Sequence, residues 1–272
     1  MIMAEKVQQV FELFPTKHTP IGFISIPHSG ETLPDEFKPY LSENYKDLMQ
    51  DVDFKVHELI DIAALQEVGI SVVKSDIIRT AVDLNRKAVD SVLNWKSNSK
   101  GKKIVINEPS AEKKEFLMAK YYLPYYEMLK TQYFMLEEQS NIPSFIDLHS
   151  MPSKAEQYHL KINPNQSIER PDFCISDFRG QTCQPEYIKN IQQILNKSYK
   201  RVTINDPYFG GHVTQHMNRM YKPLNNIQIE ISRGIYMDEE TQCLNEDAKK
   251  LKEILTEGLI QFFQEEFRKH KK

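Results

Sequence analysis

The sequence predicts an α/β fold, and two patterns along the chain support this class. Short apolar runs rich in β-branched and aromatic residues, typical of buried strands, alternate with segments whose apolar residues have helical spacing. Four of the predicted strands also carry or lead into histidine, arginine or carboxylate side chains. In open α/β sheets the ligand crevice lies beyond the carboxyl ends of the strands, so we expect the functional groups at one edge of the sheet.

The length and composition fit one large domain. The chain has 272 residues, 40% hydrophobic and 27% charged, and we expect residues 1–272 to form a single domain. The net charge is −3, from 35 basic and 38 acidic residues, so nucleic acid is not an expected partner. The three cysteines, Cys174, Cys183 and Cys243, lack C-x-x-C spacing, which favours a reducing compartment and disfavours a cysteine zinc site.

The sequence contains no pattern typical of a targeting or membrane-spanning segment. Met1–Val10 includes Glu5 and Lys6 and has no long apolar core, unlike a signal peptide. No stretch approaches the run of about 18 apolar residues that a transmembrane helix needs. We therefore expect a cytoplasmic protein without a membrane partner.

The first strong strand leads into a histidine. Residues 5–14 favour a short amphipathic helix or strand, and Ile21–Ile26 is a strand followed by Pro27-His28-Ser29-Gly30-Glu31. Proline ends the strand and glycine permits a tight turn, which places His28 at the rim of the sheet. His28 and Glu31 could chelate one metal ion, because imidazole nitrogen and carboxylate oxygen both bind zinc. The alternative is a surface glutamate beside a capping histidine.

The next segment predicts a helix and then a strand. Apolar residues at helical spacing over residues 43–67 indicate an amphipathic helix, and Ile70–Val73 follows as a strand. Asp51 and Asp53 lie near the start of the periodic part. Their charges could stabilise a helix N-terminus, or one of them, Asp53 more than Asp51, could reach the metal.

Arg79–Arg86 is interpreted as a short strand with an arginine at each end. A guanidinium presents a planar fork that binds a carboxylate through two parallel hydrogen bonds, and Asn85 can add a donor beside Arg86. The two arginines could therefore hold a substrate carboxylate and polarise a carbonyl group. The alternative is that each pairs with a structural aspartate, Asp83 being the local candidate.

The following residues are interpreted as structural. Residues 87–107 predict a polar loop without a catalytic signal, and residues 108–139 predict helix, interrupted at Pro124. The aromatic run Tyr121–Tyr126 within this helix is interpreted as packing rather than as a stacking platform.

A second strand-end histidine follows. Ser144–Ser150 is a short apolar run that ends in Asp147-Leu148-His149-Ser150, which predicts a buried strand with a polar rim. An imidazole in this position could be a metal ligand or a general base. The alternative is a rim histidine that hydrogen-bonds a neighbouring loop.

Two glycines precede a further histidine. The pattern first predicts a polar loop over residues 153–171, which contains His159, and then strands and a helix at Phe173–Ser176, Pro185–Ser198 and Arg201–Ile204. Next come Gly210 and Gly211, whose small size lets backbone N–H groups approach a ligand closely. They and His212 are candidate substrate-binding residues, and a surface-loop role for His212 and His216 is the alternative.

The last strand carries a carboxylate. Ile227–Arg233 alternates between apolar and polar residues, so Gln228, Glu230 and Ser232 share one face. A carboxylate in mid-strand is unfavourable to bury unless it is paired or used, which makes Glu230 the best candidate for a general base. Residues 239–272 predict a long amphipathic helix that covers one face of the sheet.

Taken together, these motifs resemble the N-formylglutamate amidohydrolase family. The resemblance covers most of the chain, and its segments occur in the family's order: Pro27–Gly30, Asp51–Asp53, Arg79–Arg86, Asp147–Ser150, Gly210–His212 and Gln228–Glu239. The order and rough spacing are more remotely similar to those of the zinc carboxypeptidases. Both resemblances imply a phosphorylase/hydrolase-like fold, in which helices flank a mixed central sheet and one zinc ion lies at the strand ends.

The resemblance also implies a reaction. Members of the family hydrolyse N-formylglutamate to formate and glutamate, a step at the end of one histidine degradation route. By this resemblance, His28 and His149 match metal ligands and Glu230 matches the catalytic glutamate. Zinc and Arg79 would stabilise the tetrahedral oxyanion.

Two points of this resemblance stay open. Asn85 and Arg86 match the pair that binds the substrate carboxylate, but the third metal ligand is Glu31 by the carboxypeptidase pattern and Asp53 by the formylglutamate pattern. Tyr126 stands where the family has the histidine of a Pro-Tyr-His motif, which implies that the substrate could differ.

The leading interpretation is a zinc-dependent amidohydrolase that acts on an N-acyl acidic amino acid. One alternative is a carboxypeptidase-like amidase that cuts a peptide or cell-wall fragment with the same groups. The other is a non-catalytic protein that binds carboxylates, against which Glu230 argues because a binder needs no base beside a metal.

Overall fold

A mixed seven-stranded sheet forms the centre of the protein in the computed structural model, which describes residues 10–272. The spatial order is β1-β3-β2-β4-β7-β5-β6, and only the β1–β3 and β5–β7 pairs within it are antiparallel. The strands are β1 (Phe11–Phe14), β2 (Gly22–Ile26), β3 (Ile70–Ser75), β4 (Ser144–Met151), β5 (Phe173–Ser176), β6 (Val202–Ile204) and β7 (Asn225–Ser232).

Helices flank both faces of this sheet, which confirms the predicted α/β class. They are α1 (Tyr45–Met49), α2 (Ile62–Glu67), α3 (Ala111–Tyr121), α4 (Leu123–Glu137), α5 (Gln157–Ile162), α6 (Pro185–Asn196), α7 (His212–Met220) and α8 (Asp247–His270). Short 3-10 helices span Asp35–Tyr40, Val56–Leu59, Ala88–Asp90 and Arg233–Ile235, and a small ribbon pairs β8 (Met237–Asp238) with β9 (Cys243–Leu244).

The two faces of the sheet carry separate apolar cores. Phe23 and Phe145 point to one side, where α3, α4 and α7 pack, and their rings stack with centroids 4.5 Å apart. Ile24 and Ile146, the next residues along the same strands, point to the opposite side toward α6 and α8. Because both faces are covered, every residue of β2, β4 and β7 is buried, as expected for central strands of a largely parallel sheet.

The continuous helix predicted over residues 43–67 is wrong. The chain instead forms α1, a turn around Asp53, a 3-10 helix and α2, and Lys55 adopts a left-handed conformation (φ 59°) between them. Three tertiary hydrogen bonds stabilise this turn. Asp53 N–H donates to the His28 carbonyl (3.0 Å), Arg79 donates to the carbonyl of residue 51, and Arg233 donates to that of residue 52. These contacts outweigh the local helical preference.

Two further segments differ from the prediction. Arg79–Arg86 is a series of turns rather than a strand, and its only ladder contact is an isolated bridge between Val82 and Val92. The predicted loop over residues 153–171 contains α5. The other predicted strands and helices are present with small changes of boundary, and α8 begins only at Asp247 because the β8–β9 ribbon precedes it.

The N-terminal predictions are tested only in part. Residues 11–14 of the segment 5–14 form β1, whereas residues 5–9 and most of Met1–Val10 lie outside the described residues. The extent of the single domain, 1–272, therefore stays a prediction. No helix in residues 10–272 has the length and apolar character needed to cross a membrane.

Candidate active site

A cavity of about 390 Å³ opens beyond the carboxyl ends of β2, β4 and β7. Most of the candidate site residues line it, although they come from distant parts of the sequence: His28, Asp53, Arg79, Asn85, Arg86, His149, Gly210, Gly211 and Glu230. Glu31 and His212 are not part of its wall. Strand ends bring His28, His149 and Glu230 to this cavity, and turns and loops bring the other six residues.

Neighbouring parallel strands bring the two histidines together. His28 follows the end of β2, and His149 lies near the end of β4, which pairs with β2 on one side and β7 on the other. Both side chains are only 2% exposed, and their ring centroids are 4.9 Å apart. The strand register also places His149 directly opposite Glu230 of β7.

Asp53 completes a compact group of potential metal ligands. One donor atom each from His28, Asp53 and His149 lies within 4.8 Å of the others. Asp53 Oδ2 is 2.8 Å from His149 Nδ1 and 3.8 Å from His28 Nδ1, so both imidazoles turn the same nitrogen toward this carboxylate. The turn that interrupts the predicted helix is what carries Asp53 to this position.

The other nitrogen of each imidazole is held by a buried carboxylate. Asp83 Oδ1 is 2.8 Å from His28 Nε2, and Asp147 Oδ2 is 2.9 Å from His149 Nε2. The Ser25 hydroxyl donates to Asp147 Oδ1 at 2.7 Å and fixes that carboxylate in turn. Metal-binding histidines usually have such a carboxylate partner, so the two nitrogens and one oxygen fit a divalent cation such as Zn²⁺.

The charges in this group are strongly coupled. Burial lowers the pKa of His149, but the Asp147 and Asp53 carboxylates outweigh it and raise that pKa well above 6.5. Burial would raise the pKa of Asp53, but the hydrogen bond from His149 and the charge of Arg79 bring it down to about 2. Burial and the neighbouring Arg79 cation lower the pKa of His28. Metal binding requires neutral imidazoles, so a bound cation would displace the proton that Asp147 and Asp53 favour on His149.

Glu31 lies apart from this group. After Gly30 the chain turns away from the cavity, because Thr32 N–H donates to the Asp76 carbonyl (2.7 Å) and Thr32 forms a parallel bridge with Ile77. The Glu31 carbonyl accepts a hydrogen bond from the Tyr45 hydroxyl on the far side of that turn. Of the two alternatives for the third ligand, the geometry therefore favours Asp53.

Glu230 is a buried carboxylate in the cavity wall. Its side chain is 8% exposed, and Gln228, on the same face of β7, donates a hydrogen bond from Nε2 to Glu230 Oε1 at 2.7 Å. Burial raises the pKa of Glu230 to about 8, with His149 opposing the rise and Asp53 adding to it. A carboxyl group that titrates near neutral pH can both accept and donate a proton, as a general acid–base catalyst must.

Arg79 and Arg86 reach the cavity in different ways. Arg79 is largely buried and donates to the Asp51 carbonyl (3.0 Å) and to Asp83 Oδ2 (3.3 Å). Burial would lower its pKa, but the Asp83 and Asp53 charges raise it, so the group is a fixed cation. Arg86 is 46% exposed, and its Nε lies 3.6 Å from Asp83 Oδ2, which leaves most of its donors facing the cavity and solvent.

The Asn85 side chain packs directly against Gly211, the second residue of the glycine pair. A β-carbon on Gly211 would lie 2.1 Å from Asn85 Nδ2, so only glycine permits this approach, and Asn85 Oδ1 accepts from Val213 N–H at 2.8 Å. Gly210 has a φ of 119°, a conformation that favours glycine. His212 and His216 lie on α7 and not in the surface loop that was the alternative; the His212 ring is 6.2 Å from that of Tyr126 and 5.6 Å from that of His216, and His212 does not line the cavity.

Comparison with known proteins identifies the family. The family model described as N-formylglutamate amidohydrolase matches residues 22–237, which include every candidate site residue. The chain belongs to the N-formylglutamate amidohydrolase family. It is therefore an enzyme that hydrolyses a linear amide.

Relatives of the same family cover nearly the whole chain. An N-formylglutamate deformylase from Pseudomonas putida is 28% identical over 251 residues, 88% of this chain and 90% of that protein. The crystal structure of an N-formylglutamate amidohydrolase from Ralstonia eutropha JMP134 superposes with a TM-score of 0.81 at 25% identity, over 94% of this chain and 97% of that one. A gene product of Agrobacterium tumefaciens shares the fold, with a TM-score of 0.69 at 14% identity over 93% and 95% of the two chains.

Tyr126, for which the resemblance implied a histidine in the family motif, is not among the residues that line the cavity. It is buried, and its hydroxyl donates to the Leu84 carbonyl at 2.7 Å, next to the segment that carries Asn85 and Arg86. Its ring packs against Tyr122 and His216. In this member of the amidohydrolase family, the hydroxyl therefore contacts the backbone of the segment that carries Asn85 and Arg86.

The outer wall of the amidohydrolase cavity comes from residues that the sequence interpretation did not select. The loop predicted to carry no catalytic signal contributes Trp95, and the two arginines pack against its ring: Arg79 at 5.1 Å and Arg86 at 5.7 Å from the centroid. Tyr158 contributes from α5, and Phe209 contributes from the loop before α7. Single aromatic residues in polar loops gave no periodic signal, although Asp147, two residues before His149 on one strand face, could have been found from strand alternation.

Proposed function

We propose that this enzyme is a zinc-dependent deformylase that hydrolyses N-formyl-L-glutamate to formate and glutamate. The observation that carries the proposal is the position of Glu230, a buried carboxyl group in the same cavity wall as the group formed by His28, Asp53 and His149. The relative from Pseudomonas putida is named for this reaction. A cavity of about 390 Å³ is of the size that encloses a small ligand.

In this proposal His28, Asp53 and His149 hold one zinc ion. The donor set of two imidazoles and one carboxylate supports zinc with an open position, although two histidines and one carboxylate also bind Fe(II) in other proteins. When bound, zinc supplies Lewis acidity and lowers the pKa of water to about 7. Metal analysis of protein purified without added metal distinguishes the two ions, and iron in place of zinc would contradict this part of the proposal.

Glu230 acts as the proton-transfer group. It accepts a proton from the water molecule whose oxygen attacks the formyl carbon, and it returns that proton to the glutamate nitrogen as the carbon–nitrogen bond breaks. Gln228 keeps the carboxyl group in place through its hydrogen bond to Oε1. General acid–base catalysis of this kind contributes about 10²–10⁴ in rate.

The arginines stabilise charge on the substrate. Arg79 lies within 3.6 Å of Asp53 and is a fixed cation, so it stabilises the oxyanion that develops on the formyl oxygen. Arg86, whose donors are largely free, binds a substrate carboxylate and thereby orients the formyl group. Through its contact with Gly211, Asn85 fixes the position of the glycine pair relative to the neighbouring Arg86.

The test of this assignment is Glu230→Gln, which preserves shape and volume but cannot accept a proton. We expect the variant to bind metal and substrate almost normally, with kcat lower by about 10³ and little change in KM. Such a loss corresponds to about 4 kcal/mol of activation free energy. Near-normal formate release by this variant would refute the role of Glu230.

A substrate panel tests the identity of the reaction separately. Formate or acid release from N-formyl-L-glutamate, N-acetyl-L-glutamate and short peptides should be largest for the first compound. Preferential cleavage of peptides would support the carboxypeptidase-like alternative. Absence of hydrolysis of all three by fully metal-loaded protein would support a carboxylate-binding protein.

A further inference from the structure

Arg170 is a buried cation whose guanidinium has no hydrogen-bond or ion-pair partner in the part of the chain that the structure describes. Its side chain is 1% exposed, and none of its three guanidinium nitrogens has a hydrogen-bond acceptor among residues 10–272. It also forms no ion pair with any described carboxylate; only its backbone N–H is used, in a bond to the Ser153 carbonyl (3.0 Å). Burying a charge in this way is unfavourable unless a counter-charge arrives, which makes the group a candidate for ligand binding.

The guanidinium lies directly behind the cavity wall. Its central carbon is 5.2 Å from the centroid of the Tyr208 ring, and Tyr208 lines the cavity together with His159. The Tyr208 hydroxyl and His159 Nε2 are 3.2 Å apart, and both residues line the cavity, whereas Arg170 itself does not. Burial lowers the pKa of His159 and the Arg170 charge lowers it further, so the neutral imidazole is favoured beside the guanidinium.

The other cavity arginines already have partners. Arg79 binds the Asp51 carbonyl and Asp83, and Arg233 donates to the Ser150 hydroxyl (3.2 Å) and to the Val52 carbonyl (2.9 Å). Arg86 is the residue proposed above for one substrate carboxylate. Arg170 thus differs from these three arginines, because no part of its guanidinium contacts a protein oxygen.

We propose that Arg170, Tyr208 and His159 form a second carboxylate subsite that selects substrates with an acidic side chain. A guanidinium binds a carboxylate through two parallel hydrogen bonds, and the Tyr208 hydroxyl can donate a third. The carboxylate replaces the Tyr208–His159 hydrogen bond and reaches the guanidinium between the two rings. This inference rests on the proposed function, since it names the property of the substrate that the same cavity recognises.

The test compares a dianionic substrate with its neutral isostere. For Arg170→Met, we expect kcat/KM for N-formyl-L-glutamate to fall about 100-fold, mainly through KM, with less than a threefold change for N-formyl-L-glutamine. The 100-fold loss corresponds to about 2.7 kcal/mol, in the range of a hydrogen-bonded ion pair. Arg179→Met is the matched control, because Arg179 also stacks on a cavity-lining ring, Phe209 (4.6 Å), but is exposed. This control should leave the preference between the two substrates unchanged.

Binding measurements separate this inference from the proposed reaction. Calorimetry with glutarate and with its monoamide should show a preference for glutarate in the wild-type holoenzyme that Arg170→Met abolishes, whether or not the enzyme releases formate. If Arg170→Met does not fold, Arg170→Lys keeps the charge without the planar fork, and we expect a loss of about tenfold for the dianion alone. Equal losses for both substrates and no change in the glutarate preference would overturn the subsite and assign Arg170 a structural role.

Discussion

The chain contains two pairs of neighbouring histidines, and their surroundings differ. His28 and His149 are fully buried at the ends of β2 and β4, where Asp83 and Asp147 each bind one ring nitrogen and Asp53 faces the other. The second pair, His212 and His216, lies one turn apart on α7. Both of its rings are about half-buried, and in residues 10–272 neither forms a hydrogen bond or ion pair with a carboxylate.

The comparison shows that the two pairs differ in their carboxylate partners rather than in the distance between their imidazoles. The ring centroids are 4.9 Å apart in the first pair and 5.6 Å in the second, so spacing alone does not distinguish them. The electrostatic surroundings of the two pairs do distinguish them. Burial lowers the pKa of His212 to about 4 with help from His216, whereas carboxylates overcome burial at His149 and raise its pKa well above 6.5.

The largest expected difference between the pairs is in metal content. We expect His28→Ala and His149→Ala each to reduce bound metal to near zero with the fold intact, because each removes one of three protein ligands. His212→Ala should keep full metal stoichiometry. Elemental analysis of the purified variants measures this, and stoichiometric metal in either of the first two would contradict the ligand assignment.

The third ligand can be tested in the same way. Asp53→Asn should lose nearly all bound metal, since its carboxylate is the group that both imidazoles of the first pair face. Glu31→Gln, a charge-neutralising change three residues after His28, should keep full metal because Glu31 lies outside the group. Loss of metal in Glu31→Gln with retention in Asp53→Asn would reverse the choice that the geometry makes.

A smaller effect is expected from the carboxylate behind His149. Asp147→Asn leaves the three ligands in place but weakens the partner of Nε2, so we expect the metal dissociation constant to rise about 10- to 100-fold. Asp177→Asn is the control: Asp177 is also a buried carboxylate after a strand end, but its partners are Asn205 and the Gly180 backbone. Metal competition titrations should show the increase only for Asp147→Asn.

The smallest expected effect is on the pH dependence of stability, and it comes from the second histidine pair. Burial lowers the pKa of His212 from 6.5 in the unfolded chain to about 4 in the folded protein. Between these two pH values the unfolded chain therefore binds more protons than the folded one. The stability that the neutral ring contributes is therefore full above pH 6.5 and declines as pH falls toward 4, by about 1 kcal/mol after solvent screening.

Denaturant unfolding between pH 5 and 7 measures this decline. His212→Gln should flatten the dependence of unfolding free energy on pH in this range. An identical slope in the wild type and in His212→Gln would exclude the second pair as its source.

Strand patterns made the fold and the first histidine pair predictable from the sequence. The apolar run Ile21–Ile26 predicts a buried strand, and Pro27 predicts where that strand ends. The position of His28 follows from the end of the strand. The path of residues 43–67 was not predictable, because the turn that delivers Asp53 depends on hydrogen bonds from Arg79 and Arg233, both distant in sequence. Arg170 gave no signal for the same reason: its lack of partners is a property of the folded environment.

The pairing of His149 with Glu230 across β4 and β7 has a consequence for which parts of the enzyme can open without global unfolding. The backbone hydrogen bonds between these two central strands break only when the sheet itself opens, so we expect amide exchange there to report global unfolding. The loop over residues 153–171 carries α5 and has no strand in the main sheet, so it can open locally.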